Sequence, residues 1–143
     1  MKITIRCEYA ILALLDLAEV YNEGIYKALD EISDENQIPP SFLVQIMMQL
    51  KKAGFVESRR GYGGGYRLQT SPRNIVLGDI LEIMDGPLFP FRCTKKQQYT
   101  PLCIHEKTCV LRPIWQEIRQ SVRHVVREIT FEDLAQRRAG FYR

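Results

Sequence analysis

The chain has 143 residues, 45% hydrophobic and 26% charged, with a net charge of +3. That length and balance fit one globular domain with a core of its own. Asp16 and Glu19 break the apolar run that begins at Ala10, and no stretch suits a membrane span or a secretory leader, so the expected compartment is the cytoplasm, where thiols stay reduced.

Residues 9–21, YAILALLDLAEVY, are rich in Ala and Leu and predict a largely buried helix closed by Gly24. A short helix is expected over Leu29–Glu35, then a break at Asn36, Gln37 and Ile38. Pro39 and Pro40 suit the first turn of the next helix, where a missing N–H costs little. That helix is expected to reach about Ala53, with Gly54 closing it. Leu43, Ile46, Met47 and Leu50 fall on one helical face, and Ser41, Val44, Gln45 and Met48 on the other. Two short helices joined by a tight turn make either a plain helical hairpin or a helix-turn-helix, whose second helix can enter the major groove of DNA. There Ser and Gln side chains can bond base edges, while Val44 and Met48 can touch thymine methyls.

The next segment, FVESRR-GYGGG-YRLQT, reads as two strands around a glycine-rich turn, the wing of a winged helix. Residues 51–73 carry Lys51, Lys52, Arg59, Arg60, Arg67 and Arg73 against Glu57 alone, a local excess of +5. Such a patch on a near-neutral chain points to a polyanionic partner. Gly63 and Gly64 allow the backbone a close approach, Arg59, Arg60 and Arg67 flank it, and Tyr62 stands at its tip. A nucleotide-phosphate loop is excluded, because Tyr66 stands where G-x-G-x-x-G needs glycine and no G-K-[ST] follows.

Residues 76–85 predict another amphipathic helix, and the stretch from Gly86 to Cys109, with Pro87, Pro90 and Pro101, is irregular. Leu111, Trp115, Ile118, Val122, Val125 and Ile129 then follow a heptad rhythm, which Ile114 and Val126 widen. Such a seam packs against a second copy of the chain, against the first helix, or against both on different sides. Thr130 to Asp133 is a capping box that opens a terminal helix to about Arg138. The expected organisation is a winged helix-turn-helix over 1–85, a cysteine loop over 86–109, and a dimerisation helix with a short last helix over 110–143. The fold class is mainly α with a small β-hairpin.

PPSFLVQIMMQLKKAGFVESRRGYGGGYRL, followed by ITFEDL, resembles the Rrf-two winged-helix transcription regulators. The similarity runs from Tyr9 and Ala10 to Leu134, and Arg60-Gly61-x-Gly63-Gly64-Gly65-Tyr66 is its most specific element. The resemblance implies a homodimer on a palindromic double-stranded DNA operator, acting as a repressor. By position it carries DNA contacts onto Ser41, Phe42 and Gln45 of the helix and onto Ser58 and Arg60 of the wing. Val44 stands where the iron–sulfur assembly regulator has an acid that tunes operator choice, so that preference does not transfer.

Three of the four cysteines, Cys93, Cys103 and Cys109, lie in the loop. Clustered cytoplasmic cysteines are more often metal-binding or redox-active than structural. The resemblance implies that they hold an iron–sulfur cluster, 2Fe–2S or 4Fe–4S, for which thiolates are suitable soft ligands. They enclose nine and five residues, the first gap longer than the family's usual one. The family's histidine three residues beyond the last cysteine is replaced by Arg112. A fourth ligand is then either Glu8 of the partner subunit or His105, with Cys7 read as a small packed residue. Zinc, a thiol–disulfide switch or control by a partner protein are alternatives to the cluster. No paired carboxylates, nucleotide loop or Cys–His nucleophile pattern points to an enzyme.

Overall fold

The computed structural model describes residues 3–88 and 108–141. Helix α1, Ile5–Glu19, is the central element and packs against most of the others. It begins four residues ahead of the sequence expectation because Thr4 caps it, its hydroxyl accepting from the Cys7 N–H at 3.2 Å. Thr4 is itself anchored by Asp85, which accepts from its N–H at 2.8 Å. Ala10, Ala13, Leu14 and Leu17 bury the inner face of α1, the alanines allowing close approach of neighbouring helices. A 3-10 turn over Tyr21–Glu23 follows and is closed by Gly24 in the left-handed region, at φ 67°.

Helices α2, Leu29–Asn36, and α3, Pro40–Lys52, are joined by a turn in which Gln37 takes φ 53°. Ser33 locks that turn: its carbonyl accepts from the Ile38 N–H at 3.0 Å, and its buried hydroxyl donates to the Ile38 carbonyl at 2.7 Å. Pro40 takes the first position of α3, and Leu43, Ile46, Met47 and Leu50 are fully buried beneath it. Strands β1, Val56–Arg59, and β2, Gly65–Leu68, pair antiparallel with Glu57 opposite Arg67 and Arg59 opposite Gly65. Val56 and Leu68 sink into the core. Lys27 exchanges both backbone hydrogen bonds with Tyr66 at 2.9 Å, so the segment before α2 lies along the hairpin.

Helix α4, Leu77–Asp85, leads towards the cysteine loop, and α5, Leu111–Glu128, leaves it. The two pack closely at Gly78, where a Cβ would lie 3.0 Å from the Val126 side chain. Val126, Leu81 and Cys7 form a small satellite core there, with Val122 against it. The seam expected on α5 therefore divides. Val122 and Val126 turn inward, while Leu111, Ile114, Ile118 and Val125 stand exposed on the adjoining flank of the same apolar stripe. Helix α6, Phe131–Phe141, starts at the expected capping box, with Thr130 and Asp133 bonded in both directions. It returns to α1, burying Phe131 completely in the main core. Among the described residues no helix is long and apolar enough to cross a membrane.

Candidate nucleic-acid interface

With its apolar face sealed in the core, α3 presents Ser41, Phe42, Val44, Gln45 and Met48 to solvent. Phe42 is steadied edge-on by Tyr9 of α1, the ring centroids 6.4 Å apart. Beside this face stands the hairpin turn, where Tyr62 is fully exposed. Gly64 is required by space, since a Cβ there would meet the Arg59 carbonyl oxygen at 2.3 Å. Gly63 takes φ 66°, and its carbonyl accepts from the Arg59 guanidinium at 2.7 Å.

A groove of about 370 Å³ separates α3 from the hairpin, with Met48, Lys51, Ser58, Arg59, Arg60, Gly64 and Tyr66 among its lining. Among the described residues its lining carries Lys51, Arg59 and Arg60 and no acidic side chain, the Glu31 carboxylate lying at its margin on the Ala28 N–H at 2.9 Å. Ser58 is half-buried and accepts from the Lys51 ammonium at 2.5 Å, so helix and strand meet across its floor. The two adjacent arginines differ. Arg59 is bound to the turn and lies over the Tyr26 ring, whereas Arg60 is exposed with no side-chain partner among the described residues. Arg67, on the same hairpin face as Arg59, is paired with Glu57. The Tyr26 hydroxyl, donating at 2.8 Å, and then the Arg67 guanidinium hold the Glu57 carboxyl below the usual carboxylate range. Glu57 therefore stays ionised and neutralises Arg67 locally.

The exposed face and the turn are legible in the sequence, whereas Tyr26, Glu57 and Lys51, which frame them, are placed only by the fold. The one available signal was Glu57, a lone acid in a basic stretch, set to face Arg67 if the strands pair about the glycines.

Of the cysteine set, Cys109 is half-buried just before α5, whereas Cys93, Cys103 and His105 lie outside the described residues. Glu8 is exposed in the first turn of α1. Among the described residues no three His, Cys, Asp or Glu side chains gather as a metal site. Cys7 is fully buried, and its thiol is pushed up to about 12 by burial, then by the charge of Asp85 and a hydrogen bond to it. A thiol held protonated in this way is packing rather than a ready ligand.

Residues 3–137 match the family model Rrf2, described as an iron-dependent transcriptional regulator. An HTH-type transcriptional regulator of Rhodobacter capsulatus, named rrf2-like, is 35% identical over 136 residues, covering 92% of this chain and 91% of that one. The regulator CymR of Bacillus subtilis is 32% identical, covering 94% and 90%, and IscR of Vibrio parahaemolyticus is 31% identical, covering 94% and 77%. Among solved structures, CymR, the global cysteine regulator of B. subtilis, superposes with a TM-score of 0.75 at 30% identity over 95% of this chain and 97% of that one. IscR of T. potens gives 0.74 at 29% identity, over 95% and 87%. With the helix-turn-helix, the hairpin and these relatives in agreement, the chain belongs to the Rrf2 family of transcriptional regulators, and it is not an enzyme.

Proposed function

We propose that this chain is a repressor that binds a palindromic DNA operator as a homodimer and whose affinity is switched by an iron–sulfur cluster held by Cys93, Cys103 and Cys109. The observation that carries the DNA-contact part is the groove lined by Lys51, Arg59 and Arg60 between the exposed face of α3 and the hairpin turn. Helix α3 enters the major groove, Ser41 and Gln45 reading base edges while Phe42, Val44 and Met48 supply apolar contact. The wing lies on the sugar–phosphate backbone, with the Gly63–Gly64 backbone, Ser58, Tyr62 and Arg60 against it and Arg59 behind them. The exposed stripe Leu111, Ile114, Ile118 and Val125 supports pairing of two copies through α5, which sets two α3 helices on successive turns of the duplex.

Three thiols in one loop suit a cluster in donor chemistry. Glu8 is exposed and so free to serve as the fourth ligand, from Glu8 of the partner subunit, with His105 the other candidate. Bound there, the cluster supplies a centre that responds to oxidants, iron supply or nitric oxide. The chain's own part is mechanical: α4 leads into the loop and α5 leaves it, so holding the loop biases how the two winged domains are set. Similarity to a regulator described as the global cysteine regulator supports a second reading, in which the same thiols switch as a disulfide, hold zinc, or leave control to a partner protein.

Anaerobic purification separates the two, a brown protein supporting the cluster and a colourless one with stoichiometric zinc opposing it. Selection from a random duplex pool, with loaded and metal-stripped protein, then gives the site, its symmetry and the sign of switching. Absence of any selected sequence in both forms would sink the operator reading.

A further inference from the structure

Tyr26 belongs to neither element of the DNA-contact reading, lying between α1 and α2. Yet it meets three side chains of the hairpin. The guanidinium carbons of Arg59 and Arg67 stand 4.3 Å and 4.7 Å from its ring centroid, and its hydroxyl donates to Glu57. Glu57, Arg59 and Arg67 share one face of the hairpin, because Glu57 pairs with Arg67 and strand residues two apart point the same way. Lys27, the next residue, bonds Tyr66 through the backbone in both directions. Backbone at one position and side chain at the next thus fix this segment to the hairpin.

Two guanidinium groups near each other repel. The negative face of the ring and the Glu57 carboxylate offset that repulsion. Arg59 in turn donates to the Gly63 carbonyl across the turn, so whatever holds Arg59 also holds the glycines. We propose that Tyr26 is a positioning residue for the wing: by gathering Arg59 and Arg67 at its ring, it sets the pose in which Arg60 and the Gly63–Gly64 backbone meet DNA phosphates. The inference rests on the wing being a DNA-contacting element, as read above. It divides the labour of neighbouring arginines, Arg59 acting inside the wing and Arg60 carrying the charge offered outward.

The test compares full-length wild type, Tyr26→Leu, Tyr26→Phe and Arg60→Gln by amide hydrogen exchange without DNA, and by anisotropy on both the selected duplex and a random-sequence duplex over a salt series. Tyr26→Leu is expected to speed exchange over residues 57–67 roughly tenfold while sparing α3, and to weaken binding of the selected duplex roughly tenfold. Tyr26→Phe keeps the ring and recovers most of both losses. Arg60→Gln leaves exchange unchanged but lowers the salt slope by about one. Wild-type exchange in the Tyr26→Leu wing, or equal acceleration in α3, overturns the proposal. Faster wing exchange with undiminished binding, joined by undiminished binding of Arg60→Gln, overturns it through the DNA reading instead, since the brace would then hold a hairpin that DNA does not need.

Discussion

A single methyl group on Gly64 has nowhere to go. It would lie 2.3 Å from the Arg59 carbonyl oxygen and 2.8 Å from that of Gly61, both rigid backbone atoms. Gly64→Ala is therefore expected to deform the turn, lowering affinity for the selected duplex more than about tenfold while leaving the melting of the core little changed. Anisotropy together with thermal unfolding checks both halves. At Cys7 the consequence is one of pH. The unfolded thiol ionises near 9.0, whereas the folded one keeps its proton to about 12. Between those values the native state binds the extra proton, so Cys7 contributes stability that is complete below pH 9 and is lost as pH rises towards 12. The urea midpoint of wild type should accordingly fall relative to that of Cys7→Ala between pH ~8 and ~11. Residues such as Ser41 and Gln45 were legible beforehand, because helical periodicity alone fixes which face is buried. Tyr26 was not, since its partners are set by strand register and by a bridge to Lys27, neither of which is local in sequence.

Among the elements, α5 shows how far periodicity reaches. The heptad rhythm located the helix to within a residue at each end, but it could not show that only one edge of the seam is buried within the chain. Val126 is the only buried residue of α5, pressed on Leu81 and Cys7, whereas Ile118 remains 38% exposed and Val125 56%. The two edges of the seam answer different substitutions. With two copies paired through α5 as proposed, Ile118→Glu should leave the fold of the single chain intact and shift sedimentation from dimer to monomer, because the charge falls on the outward edge of the stripe. Val126→Ala should retain the dimer but cost about 2 kcal/mol in urea unfolding, through the cavity it opens between α4 and α5. The early start of α1 had a readable signal in Thr4, a residue that favours the N-cap. Its second anchor, Asp85, lies 81 residues away and could only be seen folded.

Across the whole molecule, Asp16 joins parts that the sequence holds far apart. Fully buried on α1, it accepts from Arg138 of α6 at 2.8 Å, bonds Asn36 of α2, and lies 3.7 Å from Lys27. In sequence it is merely an acid interrupting an apolar run, and nothing nearby marks it as buried. Asp16→Ala should cost about 2 kcal/mol in urea unfolding, since Asn36, Lys27 and Arg138 lose a shared buried acceptor while Glu35 and Glu19 still face the two cations, and Asp16→Leu combined with Arg138→Met should recover much of that loss. The pairing of Asp16 with Arg138 spans 122 positions. At typical translation speeds, α1 waits on the order of ten seconds after leaving the ribosome before its arginine is made. A nascent chain that stops before α6 lacks both the cation that meets Asp16 and the Phe131 ring that fills the main core, so such a product should open more readily to proteases than the full chain.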